Sequence, residues 1–125
     1  MQHFSKFLRG RLKGCVYATK GAYLLIKTEP SIQVQITIGI LMTLIGICVQ
    51  LTTIEWMFQT VAIGMVLGME GVNTSIEAIA DFIHPDFHHK IGLIKDLAAG
   101  AVFITAITAI IIGCFIYIPY ILELI

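Results

Sequence analysis

The sequence predicts an all-α membrane protein, an N-terminal amphipathic surface helix followed by three transmembrane helices. Three observations carry this. Residues 30–54 and 97–122 contain no charged side chain, and a helix crosses a bilayer with about 20 apolar residues. Of the 125 residues, 58% are hydrophobic and only 13% charged, against roughly 25% charged in soluble domains. The basic residues fall in two segments, Lys6 to Lys27 ahead of the first run, and Lys90 and Lys95 ahead of the last.

The elements follow in order. In residues 1–29, Phe4, Phe7, Leu8, Leu12, Cys15, Ala22, Leu25 and Ile26 gather on one helical face, with Lys6, Arg9, Lys13, Lys20 and Lys27 on the other. This is the pattern of a helix lying in the membrane interface, its basic face towards anionic headgroups. Arg11 departs from it and either snorkels to the interface or points into a site. Gly10, Gly14 and Gly21 weaken this helix and make breaks there possible. Glu29-Pro30 separates it from the first span, 31–51, because proline suits a first helical turn and pushes its predecessor out of helical geometry. The second span, 54–83, must run through Glu70, because the charge-free segment 56–69 is too short to cross alone. His84-Pro85-Asp86 stops it, and the third span, 91–118, is expected to end at Pro119. No internal repeat or low-complexity stretch divides the chain, so residues 1–125 read as one domain.

The net charge is zero, and no nucleic-acid partner is expected. The basic residues place the N-terminus and the loop before the third span in the cytoplasm. No removable signal peptide is expected. Cys15, Cys48 and Cys114 are scattered and read as small apolar filler. Trp56, Tyr117 and Tyr120 fit an aromatic belt at the opposite interface. His84, His88 and His89 read as interfacial, since Pro85 interrupts the spacing that would align the first two and zinc wants three or four placed ligands.

Chemistry concentrates in EGVNTSIEAIAD, residues 70–81. With Glu70 at zero on a helical wheel, Asn73, Glu77 and Asp81 fall at about −60°, −20° and +20°. Ionisable groups within a span are functional candidates, because each charge costs a few kcal/mol there. Gly64 and Gly68 lie on another face and read as a close-packing pair. Aligned carboxylates could bind a cation, relay protons, or hold Mg²⁺ while one acts as general base. Glu29, Lys95 and Asp96 fall in the same cytoplasmic plane. That set suits phosphoryl transfer, where positioning and charge neutralisation do most of the catalysis. No phosphate loop or protein-kinase signature is present. On this chemistry alone a kinase and a small ion- or proton-coupled transporter stand close to even.

The block Glu70 to Asp81, followed by Ile-Lys-Asp-Leu-Ala-Ala-Gly-Ala-Val at 94–102, resembles the small prokaryotic diacylglycerol kinase and undecaprenol kinase family. The family pattern is E-x-x-N-(T/S)-(A/S)-I-E-x-x-x-D, a short loop, then a K-D block rich in small residues. The resemblance implies homotrimeric three-span enzymes of the bacterial inner membrane, with a surface helix and sites shared between subunits. They transfer the γ-phosphate of ATP, with Mg²⁺, to a lipid alcohol, either diacylglycerol or undecaprenol, in phospholipid or cell-wall lipid-carrier recycling. It implies Glu70 as catalytic base with Asn73 as its polar neighbour. Glu29 and Glu77 would carry magnesium and the ATP phosphates, and Lys95 would meet the phosphate chain. Asp96, Tyr17 and the loop residues Asp86, Phe87 and His88 would approach the nucleotide. Gly10 stands where enteric members carry arginine, with Arg9 and Arg11 beside it. The Phe-His-His-Lys loop and the Ala-Ala-Gly-Ala-Val run are more similar to the undecaprenol kinase branch, or to relatives from other phyla.

Overall fold

The computed structural model describes residues 2–86 and 88–123. They form four helices and no strand: α1 Gln2–Thr28, α2 Pro30–Cys48, α3 Thr53–Ile83 and α4 His89–Glu123. By length and composition α2 and α4 are long and apolar enough to cross a membrane. At 1.5 Å per residue α3 is about 46 Å long and α4 about 52 Å.

The break between α1 and α2 is made by Glu29, whose backbone is extended (φ −100°, ψ 108°) with Pro30 entering the first turn of α2. The Gln33 amide reaches back to the carbonyls of Ile26 and Lys27 at 3.1 and 3.3 Å. It thereby satisfies acceptors that the end of α1 leaves open. α1 runs unbroken through Gly10, Gly14 and Gly21, contrary to the possible breaks. Each glycine weakens a helix by only about 1 kcal/mol, and none is paired with a proline or a second glycine. Arg11 lies on the exposed surface with its guanidinium 5.1 Å from the Phe7 ring centre, so it does not point into a site within this chain.

The α2–α3 turn combines two caps. Leu51 N–H donates to Gly46 O and Gln50 N–H to Ile47 O, the paired bonds of a Schellman ending. Its left-handed residue is Gln50, at φ 58°, where glycine is usual. Gly46 is needed for the close approach: a Cβ there would sit 2.8 Å from Leu51 Cδ1 and 2.9 Å from the Trp56 ring. Thr52 then starts α3 with a reciprocal capping box to Glu55.

The buried residues of α2, Ile32, Gly39 and Gly46, repeat every seven positions and form one seam. Gln59, Ala62, Glu70, Asn73 and Ala80 of α3 and Ala98, Thr105 and Ile116 of α4 complete it. Small side chains dominate, which lets the helices approach closely. Gly64 and Gly68 are not part of it, since a Cβ at either would meet nothing within 4 Å. Their expected packing role is therefore not fulfilled inside one chain. Large apolar side chains cover the outside, Phe82 at 89% and Phe115 at 80% exposure among them, a surface suited to lipid or a partner.

α4 passes through Pro119 and continues to Glu123, correcting the expected stop. Tyr117 and Tyr120, on either side of the proline, tie this stretch to its neighbours. Tyr120 Oη donates to Glu55 Oε2 at 2.9 Å. Tyr117 Oη lies 2.9 Å from Met42 O and 2.5 Å from Gln59 Oε1. One hydroxyl proton serves one acceptor, while the buried Gln59 Nε2 has no partner. Turning that amide lets Gln59 donate to Tyr117 and Tyr117 donate to Met42, so that each contact has its own proton.

Candidate functional site

Glu70 and Asn73 of α3 face the seam because the helical repeat puts them there. Glu70 and Asn73 are each only 8% exposed. Glu70 Oε2 accepts a hydrogen bond from Gln35 Nε2 of α2 at 3.1 Å. One turn on, Asn73 Nδ2 donates to Glu77 Oε1 at 3.0 Å. Two neutral amides thus meet two carboxylates, while Gln35 Oε1 and Asn73 Oδ1 are buried with no partner. At the end of the stripe Asp81 pairs with Lys95 of α4. The pair is well exposed, so water screens it and its net contribution to stability is small.

At Gly71 a Cβ would lie 3.0 Å from Leu25 Cδ1, so the end of α1 comes close to this stretch of α3. Glu29 follows directly, half-buried, with one carboxylate oxygen 3.2 Å from Thr28 Oγ1, whose proton goes to the shorter contact, Leu24 O at 2.9 Å.

The structure therefore brings Glu70 to Gln35, Asn73 to Glu77, and Lys95 to Asp81 rather than to Glu70 or Glu77. Tyr17 is 72% exposed on α1, and Asp96 is exposed on α4. Asp86 is exposed, with its backbone oxygen 2.9 Å from His84 Nδ1. His88 Nδ1 accepts from Lys90 N–H at 3.2 Å, a side-chain cap at the start of α4. The His84 and His88 rings meet at 5.1 Å across the turn, although Pro85 removes them from helical spacing. Phe87 lies outside the described residues.

Among the described residues no group of three or more His, Cys, Asp and Glu side chains could hold a metal. Glu29 and Glu77 are carboxylate oxygen donors, and Glu77 is also held by the Asn73 amide. Carboxylates suit magnesium in its usual role, with one or two of them and substrate phosphates completing the shell.

Beside the stripe an open cleft of about 530 Å³ runs between α2, α3 and α4. Gln35 lines one end and Gln59 and Tyr117 the other, with Ala62, Val66 and Ile110 among the residues between. Gln59 and Glu70 are about 16 Å apart along α3.

Sequence reasoning missed Gln35. The available signal was a polar side chain within the charge-free run, six residues after Glu29. It also left Asp81 without a role, since the Lys95 partner requires the return of α4 against α3.

Comparison with known proteins gives the family of the chain. A family profile described as prokaryotic diacylglycerol kinase matches residues 16–117. The undecaprenol kinase of Bacillus subtilis is 35% identical over 107 residues, covering 86% of this chain and 87% of that protein. A diacylglycerol kinase of Synechocystis is 28% identical over 109 residues, covering 86% of this chain and 62% of that protein. With most of its length matched, the chain belongs to the prokaryotic diacylglycerol kinase family.

Proposed function

We propose that this protein is an integral-membrane lipid kinase that transfers the γ-phosphate of ATP to a lipid alcohol. The observation that carries the reading is a nearly buried carboxylate, Glu70, whose hydrogen-bond partner Gln35 lines an apolar cleft. A greasy acceptor can lie in such a cleft with its hydroxyl at the Gln35 end. Family membership supplies the reaction class. The fuller coverage of the Bacillus undecaprenol kinase favours a polyprenol as the first acceptor to try, with diacylglycerol second.

In the proposed reaction Glu70 takes the proton of the lipid hydroxyl. The hydroxyl oxygen forms a bond to the γ-phosphorus, the bond from that phosphorus to the β–γ bridging oxygen breaks, and ADP leaves with the electron pair. Asn73 holds Glu77 in place through its amide. Glu29 and Glu77 are the residues that would hold magnesium, whose charge offsets that of the ATP phosphates. Lys95 sits about one turn beyond Glu77, where leaving Asp81 would bring its ammonium to the phosphate chain.

The same reading has α2, α3 and α4 crossing the bacterial inner membrane with the N-terminus cytoplasmic and α1 on the interface. The two basic segments support this orientation. A homotrimer would cover the outward faces of Gly64 and Gly68 and complete the site between subunits.

The test is label transfer from γ-labelled MgATP by protein in lipid, with polyprenol and diacylglycerol side by side. Labelled lipid phosphate is expected, with one acceptor preferred. ATP-independent ion flux with no labelled lipid would instead support a transporter.

A further inference from the structure

We infer that Gln35 is a positioning residue for Glu70, serving the carboxyl group both before and after it takes the substrate proton. The inference rests on the kinase reading above. Gln35 stands on α2 and Glu70 on α3, so this contact ties the reacting carboxylate to a second helix. Its amide nitrogen donates to Glu70 Oε2 at 3.1 Å, which suits an ionised carboxylate, an acceptor at both oxygens. Gln35 Oε1 is buried and has no partner, and a buried polar atom left unpaired is costly. A structural glutamine would be expected to satisfy both ends of its amide.

The unpaired oxygen has a use at one point in the reaction. Once Glu70 carries the proton from the lipid hydroxyl, its carboxyl becomes a hydrogen-bond donor. Half a turn about the terminal torsion of Gln35 then presents Oε1 in place of Nε2. The same side chain can thus hold Glu70 as acceptor and as donor, without a charge of its own to bias either state. Asn73 makes the analogous contact to Glu77, but within one helix, where the i, i+4 spacing already fixes both side chains. Of these two amides, Gln35 is the one that holds its carboxylate from outside α3. It also lines the cleft, so the group that orients the base stands at the edge of the acceptor's path.

The experiment compares Gln35→Met, close in volume but without an amide, with wild type, in a Glu70 and a Glu70→Gln background. In the Glu70 background kcat should fall about tenfold, the scale of one lost hydrogen bond to a charged group. KM for MgATP and for the acceptor should stay within about twofold, and Tm should be little changed. In the Glu70→Gln background Gln35→Met should cause no further loss, because the residue it serves is already disabled. Gln35→His, which keeps a hydrogen-bonding nitrogen at similar reach, should recover part of the lost kcat and remains informative if Gln35→Met fails to assemble. Wild-type kcat in Gln35→Met, an equal loss in both backgrounds, or a change confined to KM would overturn the inference while leaving the kinase reading intact. Absence of lipid phosphate from the unmodified protein would overturn both.

Discussion

The first turn of α3 and its later half each carry carboxylates, and they are treated differently. At its start Glu55 Oε2 accepts from Thr52 N–H and Thr52 Oγ1, both at 2.7 Å, and from Tyr120 Oη at 2.9 Å. Those bonds close the helix cap and fasten the end of α4. Further along, Glu70 and Glu77 each accept from a single amide, and the carbonyl oxygens of those amides are unpaired. A saturated carboxylate is part of the scaffold. A sparsely bonded carboxylate on a buried seam, beside an apolar cleft, is available for chemistry.

The contrast can be broken by mutation. The largest effect is expected for Glu70→Gln, which should lower turnover by about 10²–10⁴-fold, the range for loss of a general base, with assembly unchanged on size exclusion. Lys95→Met should lower kcat for lipid phosphorylation by about tenfold or more, as loss of charge stabilisation on the transferring group does. Asp81→Asn, which releases the same lysine, should retain most turnover, because this exposed pair contributes little to stability. Equal losses in the two variants would mean that the pair is needed as a unit. Glu77→Ala should raise the magnesium concentration required for half-maximal turnover. A magnesium titration that coincides with wild type would remove Glu77 from the metal site. The smallest effect on activity is expected from Gly46→Ala. It forces a methyl against Leu51 and Trp56 and should lower stability by about 1–3 kcal/mol while turnover of the folded fraction persists.

Much of the fold was legible because bilayer thickness and helical periodicity leave few choices. The charge-free runs marked α2 and α4, and the wheel put Glu70, Asn73 and Glu77 on one face. What the sequence hid was contact between helices. Gln35 lies 35 positions from Glu70 and Lys95 lies 14 from Asp81, and no local pattern pairs them. Pro119 misled for a related reason. Its local tendency to end a helix is overridden by hydroxyl contacts from Tyr117 and Tyr120 to residues on α2 and α3.

The most direct test sets these two carboxylates of α3, Glu70 and Glu55, against each other in one assay. Transfer of γ-labelled phosphate to the preferred lipid alcohol should be measured for Glu70→Gln and Glu55→Gln in the same lipid preparation. Glu70→Gln should form almost no product though it is folded, while Glu55→Gln should keep turnover within a fewfold of wild type and unfold at lower temperature. Near-normal product from Glu70→Gln, or equal loss in both variants, would contradict the assignment of Glu70 as the base.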